Sequence, residues 1–478
     1  MSAAVTLPHQ PRLRSGAAIA VVALMAGLAL GLVGGRFGPV AIVALPAAVI
    51  FLGWALQVPL LALALVPAAF PFGDAVIGGG FMPLAQAVAI AAIGVVVMGR
   101  LVRGLAPLPA PAAAWWMLLL VTALVLATPG AAAPALAYRQ DVTIITGSLL
   151  ALSVCAVCRT ATAFRWLTAL VLLAGAVVCT LGLVRSGTVS AQLDGAVVQG
   201  SIGIFTEHNQ AGSVSAAILL LATAAGIAAP SLPLRLGAWL VAASALAQLG
   251  LSLSRGAYIG AFAGTAALML LHTRARRRLL VTMLPLLVAG AGVALLAPVG
   301  GPVRIVGERI GSISSASSNP YDDRPVIWAE AIREFEQSPL VGNGPGSFPV
   351  VSLRSRSAAA TVAAAHAHNV LLTVAAEDGA PAVLAVVGLT LAIGVAIFRT
   401  ARRRSDDIAL LAAGLGAALC SFIAQGMLDV TLRSSTIALL CWLLAGLALA
   451  ASRLPPASSV DAGADGGTQG RGQEAAGA

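Results

Sequence analysis

The chain consists of one long apolar run after another, most of them near the roughly 20 residues of helix that cross the hydrocarbon core of a bilayer. These runs occupy 16–34, 38–57, 58–72, 82–99, 112–128, 143–158, 164–184, 210–229, 236–252, 256–272, 279–299, 369–398, 408–427 and 434–451. The run at 58–72 is short and interrupted by Pro59, Pro67 and Pro71, so about 12–14 transmembrane helices are expected. Backbone exposed to lipid must satisfy its own hydrogen bonds, which leaves helices or closed barrels. The runs lack the alternation of barrel strands, so the expected fold is an all-α polytopic helix bundle. Of 478 residues 59% are hydrophobic and 10% charged. A soluble domain carries about a quarter charged residues, so a water-soluble globule is excluded.

A net charge of +10 raises the question of nucleic acid, and the placement of the arginines answers it. Arg12 and Arg14, Arg100 and Arg103, Arg159 and Arg165, Arg235, the run Arg274 to Arg278, and Arg399 with Arg402, Arg403 and Arg404 fall in loops of one parity. By the positive-inside rule these loops and both termini are cytoplasmic, and no nucleic-acid partner is expected. The apolar stretch after Arg14 is long enough to span and is read as a membrane anchor rather than a cleaved signal. Residues 1–15 then form a cytoplasmic tail and 16–199 a set of N-terminal helices, while 453–478, without apolar periodicity, are expected to be disordered. Cys155 and Cys158 sit inside an apolar run with no second pair, so they are read as packing residues.

The same count puts 130–142, 185–209, the turn at Ser254 and Arg255, a long loop over 300–367, and a short turn holding Asp429 and Arg433 on the outer side. The inner loops are short, and no phosphate-binding glycine motif follows a strand-like segment, which argues against ATP-driven transport. No internal repeat with broken helices marks a secondary transporter. In the long loop, Asp322 or Asp323 is a candidate cap for a helix that places Ile327, Trp328, Ala331, Ile332 and Phe335 on one face. Glu330, Arg333 and Glu336 fall on the other, so an amphipathic helix lying on the outer membrane surface is expected. It should stop at Ser338-Pro339, before a flexible connection at Gly342, Gly344, Pro345 and Gly346.

Ionisable groups at the edge of a span are costly in lipid and are candidate functional residues. Arg255 lies in Ser252-Leu-Ser-Arg-Gly256, and Arg324 opens the loop helix. A guanidinium presents a planar, permanently charged fork suited to phosphate oxygens. His366 and His368 precede Asn369 where the loop returns to the membrane; a histidine oriented by a neighbouring amide suits general-base work. Residues at i and i+2 do not share a helix face, which argues against a metal site made from this pair alone. His208 and Asn209, with Glu207, form a lesser polar group at another outer helix start. Together these residues suit a reaction in which a diphosphate leaves and a hydroxyl attacks. No acidic metal cage is visible outside, so arginine would replace a divalent cation and no cofactor is required.

Three motifs in order carry a family resemblance: Ser254-Arg255-Gly256; Arg324-Pro-Val-Ile-Trp328 leading to Ser338-Pro-Leu-Val-Gly342-Asn-Gly344-Pro-Gly346-Ser-Phe348; and His366-Ala-His368-Asn369 followed by Glu377-Asp-Gly379. They resemble the O-antigen ligase and polymerase superfamily of polytopic membrane glycosyltransferases, over about 200–440. The resemblance implies that Arg255 and Arg324 contact the diphosphate of an undecaprenyl-diphosphate-linked glycan. It also implies that His368 activates a hydroxyl of a saccharide acceptor, with His366, Asn369, Ser254, Gly256, Trp328, His208 and Asn209 in support. Family members carry Gly, Thr or Tyr where this chain has Ala382. The region 200–452 is thus expected to act outside the cytoplasmic membrane as a ligase or, as an alternative, a polymerase; the reading from another class is a flippase for the same lipid-linked sugar.

Overall fold

A computed structural model describes residues 51–73, 76–77, 82–184, 189–193, 196–281, 302–311, 324–354 and 364–455. The chain divides into a first unit, 1–59, described only from residue 51, and a second unit, 60–478. The runs at 16–34 and most of 38–57 and 279–299, the cap at Asp322 or Asp323, and most of the C-terminal tail lie outside the described residues.

Helix α1 (Pro59–Ala69) ends in a 3-10 turn at Phe70–Phe72, so the short proline-bearing run is an 11-residue helix and does not cross on its own. The second unit continues with α2 (Leu84–Val102), α3 (Ala112–Ala127), α4 (Pro134–Val157), α5 (Ala161–Val184), α6 (His208–Ala228), α7 (Leu232–Leu251) and α8 (Arg255–Leu271). The outer loop contributes α9 (Pro302–Gly311), α10 (Arg324–Gln337) and α11 (Phe348–Arg354), before α12 (Val370–Arg403), α13 (Asp407–Gly426) and α14 (Ser435–Ala451). Among the described residues eight helices are long and apolar enough to cross a membrane, and α8 and α14 are shorter apolar helices of 17 residues. Two short antiparallel ribbons decorate the loops, β1 (Val76–Ile77) with β2 (Met82–Pro83) and β3 (Val189–Leu193) with β4 (Ala196–Gly200). Large apolar side chains such as Phe262 (78% exposed) and Leu240 (72%) point outward, as lipid-facing groups do.

The basic helix ends gather at one end of the bundle. Arg165 pairs with Asp407 at 2.6 Å, Arg278 donates to Ile227 O, Arg402 to Leu270 O and Arg404 to Leu454 O. The turns that carry the candidate site residues lie at the other end, which agrees with the parity read from the arginines. Cys155 and Cys158 are buried free thiols, in keeping with packing.

Helices α6 and α13 are enclosed at the centre, and α8 packs against both. Close approach of α8 to α13 depends on small residues at i, i+4 and i+8, because apolar side chains gain little by leaving equally apolar lipid and contact must come from backbone proximity. A Cβ on Gly260 would stand 2.7 Å from Ser421 O, and one on Gly264 would stand 2.6 Å from Ala417 O. Gly260→Val is expected to destabilise the protein by about 1–3 kcal/mol through overpacking. Thermal unfolding in detergent checks this against Gly237→Val, where an added Cβ meets nothing within 4 Å. Equal unfolding temperatures for the two variants would remove the packing argument.

The outer loop departs from expectation in two places. Helix α10 keeps Arg333 and Glu336 exposed as expected, but Glu330 from the expected polar face is buried with Ile327, Ala331 and Glu334, and Ile332 from the expected apolar face is exposed. The helix packs on α11 and α12; inside the protein Glu330 Oε2 accepts from Ser352 Oγ at 3.0 Å, while its Oε1 meets no partner among the described residues, and Glu334 accepts from Asn343 Nδ2 at 3.1 Å. Nor is the glycine-rich stretch a loose connection. Helix α12 breaks at Gly379 (φ 77°), and Pro381 has no N–H to donate to the Glu377 carbonyl. Gly344 N–H takes that carbonyl at 2.7 Å, Asn343 N–H takes Ala376 O at 3.0 Å, and Ala380 N–H turns to Pro339 O at 2.8 Å. The left-handed φ of Gly342 (66°) and Gly344 (96°) lets the loop approach this closely; a Cβ on Gly342 would stand 2.5 Å from Asp378 N.

Candidate active site

Helix α13 ends in the sequence Gln425-Gly-Met-Leu-Asp429, and its last turn is the hub of the site. Main-chain bonds from Leu428 N–H and Asp429 N–H to Gln425 O fix the turn at 2.8 and 2.9 Å. On one side Gln425 Nε2 donates to Asn209 O at 2.9 Å, while Asn209 Oδ1 accepts from the Ser254 hydroxyl at 2.6 Å. Ser254 in turn caps α8 by accepting from Ala257 N–H, which places Arg255 at the first helical position. Gly256 rests against Gln425, 3.4 Å from where its Cβ would stand, so its part is close packing.

On the other side of the hub the loop returns through His366, His368 and Asn369. Asn369 caps α12 by accepting from Leu371 and Leu372 N–H at 3.0 and 3.1 Å, and its amide donates to Met427 O. It therefore does not orient the histidine ring. That work falls to Asp429, whose Oδ1 accepts from His366 Nε2 at 2.8 Å, His368 Nδ1 at 3.1 Å and Val430 N–H at 2.9 Å. The segment 364–369 is not helical and His368 has a left-handed φ of 50°, so the two rings converge although they are two residues apart. The argument from helix faces does not apply to this pair.

Burial alone would raise the Asp429 carboxyl, but the hydrogen bonds from His366 and His368 hold it well below the usual carboxylate range. An ionised carboxylate only accepts, so the ring nitrogens that face it carry the hydrogens. For neutral His368 this fixes the Nδ1–H tautomer and leaves a lone pair on Nε2. The His368 side chain is one-third exposed while Asp429 is 5% exposed, so the imidazole can meet a substrate and its partner is shielded.

Residues 240–387 match the O-antigen ligase family. That region, under a third of the chain, is similar to the O-antigen ligase/polymerase superfamily. No curated protein matches it. The match supports a glycosyltransferase-type enzyme at the coarse level, and the eight long apolar helices among the described residues make this a multi-pass membrane protein. The superfamily match includes Arg255, Arg324 and the segment His366 to Asn369, but it stops before Asp429 and begins after Asn209, the two residues through which the fold completes the cluster.

Sequence reasoning missed Asp429, Gln425 and Arg309. An acid at the outer edge of a span, where ionisable groups are costly, was the available signal for Asp429. Arg309 comes from α9, which packs on α7 and α8, and its Nε donates to Leu253 O at 3.0 Å, two residues before Arg255. Burial and the like charge of Arg255 push the Arg309 guanidinium below the usual arginine range. His208, at the start of α6, lies within electrostatic reach of both Arg309 and Asp429. Arg324 comes from a different element, half-buried at the first residue of α10, and one turn on, the Trp328 indole nitrogen is buried with no hydrogen-bond partner among the described residues.

Proposed function

We propose that the protein transfers a saccharide from a polyprenyl-diphosphate carrier to a hydroxyl acceptor at the outer face of the cytoplasmic membrane, with His368 as general base and no metal requirement. The observation that supports this most directly is the Asp429–His368 pair, with Nε2 of His368 turned away from the carboxylate that orients it. The acceptor hydroxyl gives its proton to that nitrogen as its oxygen bonds to the anomeric carbon. The bond from that carbon to the phosphate oxygen breaks, and polyprenyl diphosphate leaves carrying the negative charge. Arg255 and Arg324, together with Arg309 beside Arg255, meet that charge with guanidinium forks where a divalent cation would otherwise serve. Undecaprenyl diphosphate is the carrier the family resemblance implies. Ligation and polymerisation differ in the acceptor, a lipid A core in one case and a growing carrier-linked polysaccharide in the other.

The test is a reconstituted assay that follows sugar transfer and lipid translocation separately, with both acceptors supplied. Loss of the sugar from its carrier only when acceptor is present supports the reading, whereas translocation without transfer would favour a flippase. Arg255→Lys and Arg324→Lys retain charge but lose the fork. A hydrogen bond to a charged group contributes about 1.5–3 kcal/mol, so kcat/KM should fall by roughly ten- to a hundredfold in each. Wild-type kinetics in the lysine variants would argue against bidentate phosphate binding.

A further inference from the structure

We propose that His366, His368 and Asp429 form a zinc site whose occupation switches the transferase off. Two imidazole nitrogens and a carboxylate oxygen, with a water completing four-coordination, are a ligand set that zinc accepts. The three ligand atoms lie within 4.8 Å of one another, the only such group among the described residues. Four-coordinate zinc with bonds of about 2.0–2.1 Å holds its ligand atoms roughly 3.3 Å apart. The present separations from Asp429 Oδ1 are 2.8 Å to His366 Nε2 and 3.1 Å to His368 Nδ1, and the three atoms lie within 4.8 Å of one another, so the ion is admitted by a short retreat of the carboxylate together with closure of the two rings toward each other. The route in is through His368, one-third exposed, whereas the His366 and Asp429 side chains behind it are 9% and 5% exposed.

The inhibitory effect follows from tautomer chemistry. A neutral imidazole carries one N–H hydrogen. With Asp429 as partner that hydrogen sits on Nδ1 of His368, and Nε2 keeps its lone pair. Zinc on Nδ1 requires the hydrogen to move to Nε2, which then donates and can no longer take a proton from the acceptor hydroxyl. The ion also withdraws Asp429 from its orienting role. Metal capture and catalysis are therefore exclusive states of the same three side chains. The metal-binding half of this proposal stands on the ligand geometry; the inhibitory half rests on the reading of His368 as the base.

The experiment uses the full, untagged chain in detergent. Zinc is titrated against a chromophoric chelator, and Co2+ serves as a spectroscopic probe whose visible absorption reports four-coordination. About one equivalent is expected to bind. His366→Ala and Asp429→Asn should each weaken binding by more than roughly a hundredfold, beyond what a change outside the ligand shell costs. His272→Ala, at the far end of α8, should bind as the wild type does. A circular-dichroism check on each variant separates ligand loss from unfolding, and His366→Gln provides a second, less disruptive probe. Absence of stoichiometric binding, or binding unaffected by both ligand variants, would overturn the site. In the transfer assay, zinc at saturating concentration should abolish turnover and excess chelator should restore it. Binding with undiminished transfer would overturn the inhibitory half alone. A protein that binds zinc but transfers no sugar under any condition would instead count against the transferase reading and leave the metal site intact.

Discussion

His368→Gln should lower kcat by about 10²–10⁴-fold, the range that a positioned general base contributes. Glutamine fills similar space and cannot take a proton, so folding should survive, as an unchanged unfolding temperature in detergent would show. Asp429→Asn sharpens the test because Asp429 is separated from the reacting atoms by the imidazole. An asparagine amide turned toward the rings would present N–H where the carboxylate accepts, and His368 would have to adopt the Nε2–H tautomer to accept it. The lone pair would then face away from substrate, so kcat should again fall by about 10²–10⁴-fold, with little change in KM. A purely structural role for Asp429 would lower stability and yield without this split. Full activity in either variant would remove His368 from the chemistry, and a loss confined to KM would recast the pair as a binding element.

Much of this was legible in the sequence because membrane helices declare themselves by length and polarity, and because Ser254, Arg255, His368 and Asn369 sit at span ends where polar residues are costly. The turn between α7 and α8, the end of α10 before Ser338-Pro339 and the shared end of the basic loops follow the pattern. What was not legible depends on partners distant in the chain. Asp429 lies 61 residues from His368, and nothing local marks it as the group that orients the ring. Glu330 read as part of a polar face with Arg333 and Glu336 until Ser352 arrives from the following loop and allows it to be buried. Periodicity reports which face is apolar, not which polar residues will find mates. Pro381 within an apolar run was a readable break, but the donation of Gly344 N–H to the Glu377 carbonyl orphaned by that proline was not.

The same break makes Glu377 the residue whose loss should cost the most stability. Its backbone carbonyl accepts from Gly344, while its side chain accepts from Gly346 N–H and Phe348 N–H, both at 3.0 Å, and pairs with Arg433. One carboxylate thus ties the glycine loop, the start of α11 and the turn before α14 to the kink in α12. Glu377→Ala leaves two buried N–H groups unmet and a guanidinium, 25% exposed, without this carboxylate. Breaking a buried ion pair costs about 3–5 kcal/mol, which is a large share of a typical net stability of about 5–15 kcal/mol. The expected result is a marked fall in unfolding temperature and in recoverable protein. Arg433→Leu added to Glu377→Ala removes the stranded charge, so the double variant should be less destabilised than the sum of the two single changes. Strict additivity would mean that the pair is not coupled. An unshifted unfolding temperature for Glu377→Ala would mean that the loop is held by its main-chain bonds to Ala376, Glu377 and Ala380 alone.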